Sequence, residues 1–423
     1  MTGLAKVAVV GKELVVAWRF GTGDVLDAFF IALVVPSFII NVVAGSFNAA
    51  LIPTYIRVRD QECSQTAQEL FSGVMLWSIG LLGITTILMI IGIPAYMPWI
   101  ATGFSPEKLD LTYHILYTIA PILVMKGTVT IWGAVLNAGH RFALAAVSPI
   151  ITPSLSVLLL LAIPSLGIFA LAAGLIGGSL LELVLLGIAL KRQGISLYPR
   201  WYGFNKHLNQ VACQYAPMIT GAFLMSGTHF VDQSMATLLP SGSVAALNYG
   251  SKLVGLPLGL AATAIGSAVI PYFSKMVACS EWDEIKQTLN RYLVIIFTIS
   301  LPLILVLLII SKPLIQLLLQ RGEFTSQDVH IVSSIQSCYA LQIPFYLAGI
   351  LIVRFISSTH SNHILMLGAV ISLTANIFFN FIFMKKIGIA GIALSTSFVY
   401  FISFCFLFHR SHKILKQVNI TNE

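Results

Sequence analysis

"AKVAVVGKELVVAWRF", residues 5–20, is apolar enough to enter a bilayer, yet it carries Lys6, Lys12, Glu13 and Arg19. A charge at mid-bilayer costs roughly 2.5 to 3.5 kcal/mol even on lenient insertion scales, so four of them in one stretch need a physical reason. On a helical wheel of about 100° per residue with Lys6 at the origin, Glu13 lies at about 340°, Lys12 at about 240° and Arg19 at about 220°. All four therefore share an arc of about 140°. The rest of the turn holds Val, Leu, Ala, Gly and Trp. Such a helix can present one face to lipid or packed neighbours and the other to a polar interior.

The remainder of the chain supplies the membrane. Of its 423 residues 57% are hydrophobic and only 9% charged, and the mean hydropathy is +0.90. A soluble domain carries about 25% charged residues. Apolar blocks of about 20 residues, separated by short polar or Pro/Gly-containing breaks, recur from end to end, as a hydrocarbon core about 30 Å thick demands. The predicted fold class is all-α: a polytopic membrane protein with about twelve spans, centred near residues 12, 41, 82, 125, 154, 178, 226, 257, 300, 343, 371 and 399. The first span lacks a small-residue cleavage pattern and a clean apolar centre, so it is expected to be retained rather than removed as a signal peptide.

Orientation follows from the 24 lysines and arginines. With the N-terminus inside, thirteen, Arg57, Arg59 and Arg141 among them, fall in cytoplasmic loops and helix ends, against five outside, of which Lys108 is one. That asymmetry predicts a multi-pass protein of the bacterial cytoplasmic membrane with both termini cytoplasmic. It also accounts for most of the formal charge of +8, so no nucleic-acid partner is expected. The cysteines at 63, 213, 279, 338 and 405 show no ligand spacing and are read as unpaired thiols. The nine histidines are scattered. Neither a metal nor a cofactor is expected, and membrane lipids are the expected surroundings of a monomer.

The polar stretch 191–210 divides the chain into an N-terminal lobe (1–200) and a C-terminal lobe (201–423) of six spans each. The lobes resemble one another. "LGIFALAAG" (166–174) matches "IGIAGIALS" (387–395), and "AALIPTY" (49–55) echoes "SAVIPYF" (267–273), at nearly the same offset and in the same order. Transporters commonly place their substrate between such repeats.

Six cations remain within the spans: Lys6, Lys12, Arg19, Lys126, Lys252 and Arg354. The membrane acids are Glu13, Asp27, Glu182 and Asp232. Intramembrane ionisable groups normally face a bundle interior or a wet cavity, although those near helix ends can snorkel to the headgroups. A cavity richer in cations than in acids selects anions, and phosphate above all: arginine by its two-pronged fork, lysine as a point charge. The six cations are thus the predicted substrate-binding set, and Glu13, Asp27 and Asp232 the coupling or cavity acids. Pro36, Gly45, Gly255 and Pro257 are the hinge candidates, because proline removes a helical hydrogen bond and glycine can serve either packing or bending.

Five stretches then carry a family likeness: "FGTGDVLDAFFIALVVPSF" (20–38), "GSFNAALIPTY" (45–55), "GAVLNAGHRF" (133–142), "SGSVAALNYGSKLVGLPLGLAATAIGSAVIPYFSK" (241–275) and "LLLQRGEFTSQD" (317–328). Together they resemble the MviN/MurJ lipid II flippases of the multidrug/oligosaccharidyl-lipid/polysaccharide exporter superfamily. The resemblance covers nearly the whole chain. It implies two six-helix lobes around a central cationic cavity that opens to either side in turn. The implied cargo is an undecaprenyl-pyrophosphate-linked sugar, a lipid-linked saccharide serving peptidoglycan biosynthesis. Family arginines fall at Lys6 and Lys12, the aspartate before AFF at Asp27, and a helix 8 arginine at Lys252. Ile40 stands where the family has an arginine, and Ser251 and Gly255 where it has acids. Two further C-terminal helices of the family have no counterpart in the sequence. These departures widen the implied cargo from lipid II to a related cell-envelope precursor.

Two other readings compete. A cation-coupled drug exporter of the same superfamily would have acids dominating its membrane interior. A membrane-embedded glycosyltransferase or polymerase would need a carboxylate or histidine near the outer headgroups, for which Asp24, Glu323, Asp328 and His330 are the candidates. The surplus of intramembrane cations favours the flippase over both. No GxxxxGK[ST] loop is present, so transport is expected without direct use of ATP.

Overall fold

The computed structural model describes residues 2–422 apart from 63, 140, 141, 204, 280 and 360. Side chains are not described at 2, 4, 64, 142, 143, 264, 266–272, 274, 278 and 417–422. Cys63 and Arg141 lie outside the described residues. The regular structure is helical: α1 (Thr2–Phe20), α2 (Asp24–Ile39), α3 (Gly45–Gln61), α4 (Ser64–Ile100), α5 (Pro106–Ile119), α6 (Ile122–Ala138), α7 (Phe142–Val147), α8 (Ile151–Ala162) and α9 (Phe169–Arg192), then α10 (Lys206–Ala236), α11 (Ser243–Ala278), α12 (Trp282–Leu319), α13 (Ser326–Ala340), α14 (Ile343–Ser358), α15 (Asn362–Ile387) and α16 (Ile389–Asn422). Each of the twelve predicted span centres falls within a helical segment.

Among the described residues, eight segments are long and apolar enough to cross a membrane, and α5 with α6, bent by 46°, makes a ninth. Large side chains such as Ile91, Trp99 and Ile309 stand exposed along them, as they would toward hydrocarbon. Helices α1, α10 and α11 are 19, 31 and 36 residues long. The four charges on α1 keep it out of the apolar class.

Packing divides the chain into two compact units, Met1–Phe230 and Val231–Glu423. Residues 206–230 of α10 belong to the first because their aromatic rings pack there. Tyr215 stacks on Phe47 with centroids 4.1 Å apart, and Phe223 and Phe230 meet Phe38 edge-on at 5.3 and 5.4 Å.

Local chemistry sets the helix ends. Ser105 caps α5 by accepting the Lys108 N–H, with Pro106 in the first turn. Thr325 and Asp328 form a reciprocal capping box on α13. The turn into α9 and the turn into α16 both pass through a left-handed glycine, Gly167 at φ +54° and Gly388 at φ +61°, a backbone region costly for any other residue. These glycines occupy equivalent places in the 166–174 and 387–395 repeats. Between α2 and α3 the chain forms a π-turn, Ile40–Ala44, with Pro36 upstream and Gly45 closing it. One carbonyl of that turn, Val43 O, is 3.5 Å from the Tyr215 hydroxyl, which donates to it.

Candidate functional site

In the first unit the polar interior is built where α8 and α9 touch. Gly174 and Gly178 of α9 lie so close to α8 that an added Cβ would stand 2.5 Å from the Cα of Ser156 and of Thr152 respectively. Small residues four apart permit that approach, and the next position on the same stripe is Glu182. The approach places the Thr152 hydroxyl as a donor 2.5 Å from Glu182 Oε1. Lys126 of α6 completes the group, its ammonium 2.8 Å from Glu182 Oε2 and 3.1 Å from Thr152 Oγ1. Glu182 is 1% exposed and Lys126 25%. A carboxylate this deep is tolerable because a cation and a hydroxyl replace its water.

A second group forms where α2 and α5 begin. Lys108, expected in an outside loop, is instead buried: its ammonium lies 2.5 Å from Asp24 Oδ1 and 2.8 Å from Asp27 Oδ2, and 4.1 Å from the Phe104 ring centroid. Asp27 is buried and Asp24 exposed, so the lysine neutralises the deep acid and reaches the shallow one.

On α1 the buried face overlaps part of the charged arc, at Glu13. Glu13, Val16 and Ala17, which span roughly 280° to 20° on the wheel, are buried, whereas Val7 and Trp18 at about 100° to 120° are exposed. Lys12 lies 2.9 Å from Glu13 Oε1. Lys6 is half-buried, and Arg19 is exposed with its guanidinium 3.5 Å from the Pro164 carbonyl.

The most deeply buried carboxylate among the described residues of the second unit is Asp232, near the end of α10. Its Oδ1 accepts from the carboxamides of Asn376 at 2.9 Å and Asn380 at 2.7 Å, both on α15, and its Oδ2 accepts from Thr396 of α16 at 3.1 Å. The three donors are neutral, and no ion pair to Asp232 forms among the described residues. Lys252 is half-buried on α11 and Arg354 exposed on α14. Among the described residues no three His, Cys, Asp or Glu gather as a metal centre.

Three sequence-selected acids thus meet a lysine: Glu13 with Lys12, Asp27 with Lys108, Glu182 with Lys126. Lys108 and the two asparagines were not selected from sequence. A signal for the asparagines was present: in "ANIFFNFIF" (375–383) two carboxamides sit four residues apart in an otherwise apolar run, which puts both on one helix face. Lys108 gave none, being one cation in a polar stretch.

Comparison with known proteins completes the description. The family model described as "Lipid II flippase MurJ" matches residues 16–421. The chain belongs to the lipid II flippase MurJ family. It is 26% identical to a probable lipid II flippase MurJ of Vibrio cholerae, over 97% of this chain and 81% of that protein. It is 26% identical to another from Synechocystis, over 93% and 76%. Among solved structures, an inward-closed lipid II flippase MurJ superposes with a TM-score of 0.82 at 23% identity, covering 99% of this chain and 89% of that one. A multidrug MATE transporter in an inward-facing conformation gives 0.77 at 15% identity, covering 100% and 96%. At these identities the structural likenesses establish the fold alone, an all-α architecture over nearly the whole chain.

Proposed function

We propose that the protein carries an undecaprenyl-pyrophosphate-linked saccharide, lipid II or a related cell-envelope precursor, from the inner to the outer leaflet of the bacterial cytoplasmic membrane by alternating access. The observation that carries this reading is the family match over residues 16–421. It makes the protein a transporter and not an enzyme. The positive-inside asymmetry supports cytoplasmic termini. Counting α1, α10 and α11 with the nine apolar spans gives twelve crossings. The protein acts as a monomer in this reading, arranged as lobes 1–200 and 201–423.

Within it, Lys6, Lys12 and Arg19 of α1 and Lys252 and Arg354 of the second unit contact the pyrophosphate. The arc they share on α1 supports this for the first three. Lys126 joins the same set; like Lys12 beside Glu13, its ammonium is paired, with Glu182. Of the acids, Asp232 is the coupling group: surrounded by neutral dipoles, it can take up a proton or a monovalent cation without first breaking an ion pair, and each asparagine can turn its carboxamide to offer oxygen instead. Glu13 and Asp27 are cavity acids that hold their lysines in place. Pro36 and Gly45 flank the π-turn and serve as the bend of the α2–α3 span, with Gly255 and Pro257 as its counterpart on α11.

The test is direct. Depletion in cells should trap a pyrophosphate-linked sugar in the inner leaflet, and mass analysis of the accumulating lipid identifies the cargo. In proteoliposomes, Lys12→Ala and Lys252→Ala should each abolish flipping while inserting normally. Full transport by both would remove them from the site.

A further inference from the structure

No Asp or Glu occurs between Glu182 and Asp232. Within that window the segment joining α9 to α10 carries Lys191, Arg192, Arg200 and Lys206, all exposed. None of the four forms an ion pair among the described residues. Interleaved with them are Tyr198, Trp201 and Tyr202, exposed by 80%, 47% and 48%.

The segment is not a loose loop. Gln68 and Ser196 exchange two hydrogen bonds, Gln68 Nε2 donating to Ser196 O at 2.8 Å and Ser196 N–H to Gln68 Oε1 at 3.0 Å. One turn further along α4, the Ser72 hydroxyl donates to Arg200 O at 2.9 Å and accepts the Arg200 N–H at 2.6 Å. The backbone is therefore laid along the first turns of α4, at the polar end of a helix long and apolar enough to cross a membrane, where headgroups would lie. Beside it a cavity of about 470 Å³ is lined by Lys191, Gly194, Ile195, Ser196, Leu197 and Tyr198. The carbonyls that end α9 do not repel an anion there, because the N–H groups of Gln193, Gly194 and Ile195 cover them at 3.0 to 3.1 Å.

Helix stability accounts for only part of this charge. Lys191 and Arg192 suit the C-terminus of α9, but Lys206 stands in the first turn of α10, where the helix dipole disfavours a cation. Tyrosine and tryptophan with one polar edge favour the membrane–water boundary, and clustered cations there meet anionic lipid.

We infer that residues 191–206 form a seat for the headgroups of anionic glycerophospholipids, with Lys191 and the Ser196 hydroxyl at the cavity and Arg192, Arg200 and Lys206 around it. The seat ties the segment that joins α9 to α10 in the first unit to the bilayer surface, and lipid composition thereby acts on it. The inference stands whether or not the proposed cargo is correct.

The test uses the full chain in nanodiscs with the same lipid in both leaflets, so membrane orientation does not enter. With the five native cysteines replaced by Ala and a fluorophore on Tyr198→Cys, nitroxide-labelled phosphatidylglycerol and nitroxide-labelled phosphatidylcholine are compared as quenchers at equal mole fraction. Phosphatidylglycerol should quench at least about twofold more, and the ratio should fall toward one as salt rises. The variant K191Q/R192Q/R200Q/K206Q should bring it to one at low salt. An equal ratio in the unsubstituted segment overturns the inference without recourse to any charge variant. So does abolition of the preference by millimolar inorganic phosphate at constant ionic strength, which would mark a site for free phosphate instead of lipid.

Discussion

In the first unit the deep carboxylates meet cations: Glu182 lies 2.8 Å from Lys126 and Asp27 2.8 Å from Lys108. In the second, Asp232 is equally deep and meets two carboxamides and a hydroxyl. The difference matters because the two solutions respond differently to change. A buried ion pair is locked, since removing either member strands the other in a medium that cannot solvate it. A carboxylate held by dipoles can lose or gain a unit of charge while its partners reorient. On the proposed reading, the first unit holds its charge state and the second lets one site vary.

The contrast breaks most visibly at Lys126. Lys126→Met leaves Glu182 buried with only Thr152, and loss of one member of such a pair costs about 3 to 5 kcal/mol. The variant should melt far below the parent in detergent, and adding Glu182→Gln should restore most of the loss. If Lys126→Met alone melts within a degree of the parent, the pair is not what holds α6 to α8 and α9. Lys108→Met should cost less, about 2 to 3 kcal/mol, because Asp24 is exposed and regains water. Asp27→Asn in the same chain should recover stability in thermal scans. Failure of that rescue would mean that Lys108 acts through its packing on Phe104 and not through charge.

Asp232→Asn should behave in the opposite way. The new carboxamide can keep its oxygen toward Asn376 and Asn380 and turn its NH₂ toward the Thr396 hydroxyl, so stability changes by less than about 1 kcal/mol and in the stabilising direction. Transport should nonetheless fall and lose its dependence on the driving ion gradient, read as flipping in proteoliposomes with and without an imposed gradient. A variant as destabilised as Lys126→Met would erase the distinction between the units.

How much of this could be read in advance depends on the range of the signal. The membrane class, the helical architecture and the centres of the nine apolar spans were legible, because hydropathy over about 20 residues is a local property. The spans expected near residues 12, 226 and 257 fall on helices that, among the described residues, do not reach that apolarity. The repeat was legible at Gly167 and Gly388 because a left-handed turn demands glycine in both places. Periodicity gathered the charges of α1 on one arc, and part of that arc, at Glu13, is buried. Partners were not legible: Lys126 and Glu182 are 56 residues apart and Lys108 is 81 from Asp27, and nothing local says which charges meet. Hence the pairing of Lys126 with Glu182 was not foreseen, and Lys108 read as a loop charge when it is buried.

The comparison sharpens last at the backbone, with the smallest effect. Gly45 in the first unit and Gly255 in the second are unlike Gly178, whose missing Cβ makes room for Thr152: an added Cβ at either would meet nothing within 4 Å. Close packing therefore does not require glycine there. Gly45 has ordinary helical angles, φ −61° and ψ −41°, so Gly45→Ala should stabilise by about 0.5 to 1 kcal/mol, through the entropy that alanine does not lose on folding. If the π-turn after Pro36 is a working bend, that gain is confined to one conformation, and the variant should raise the melting temperature while slowing flipping. A raised melting temperature with unchanged transport would show that the first unit moves without bending α2 against α3, and would leave Gly255 and Pro257 of α11 to be tested the same way.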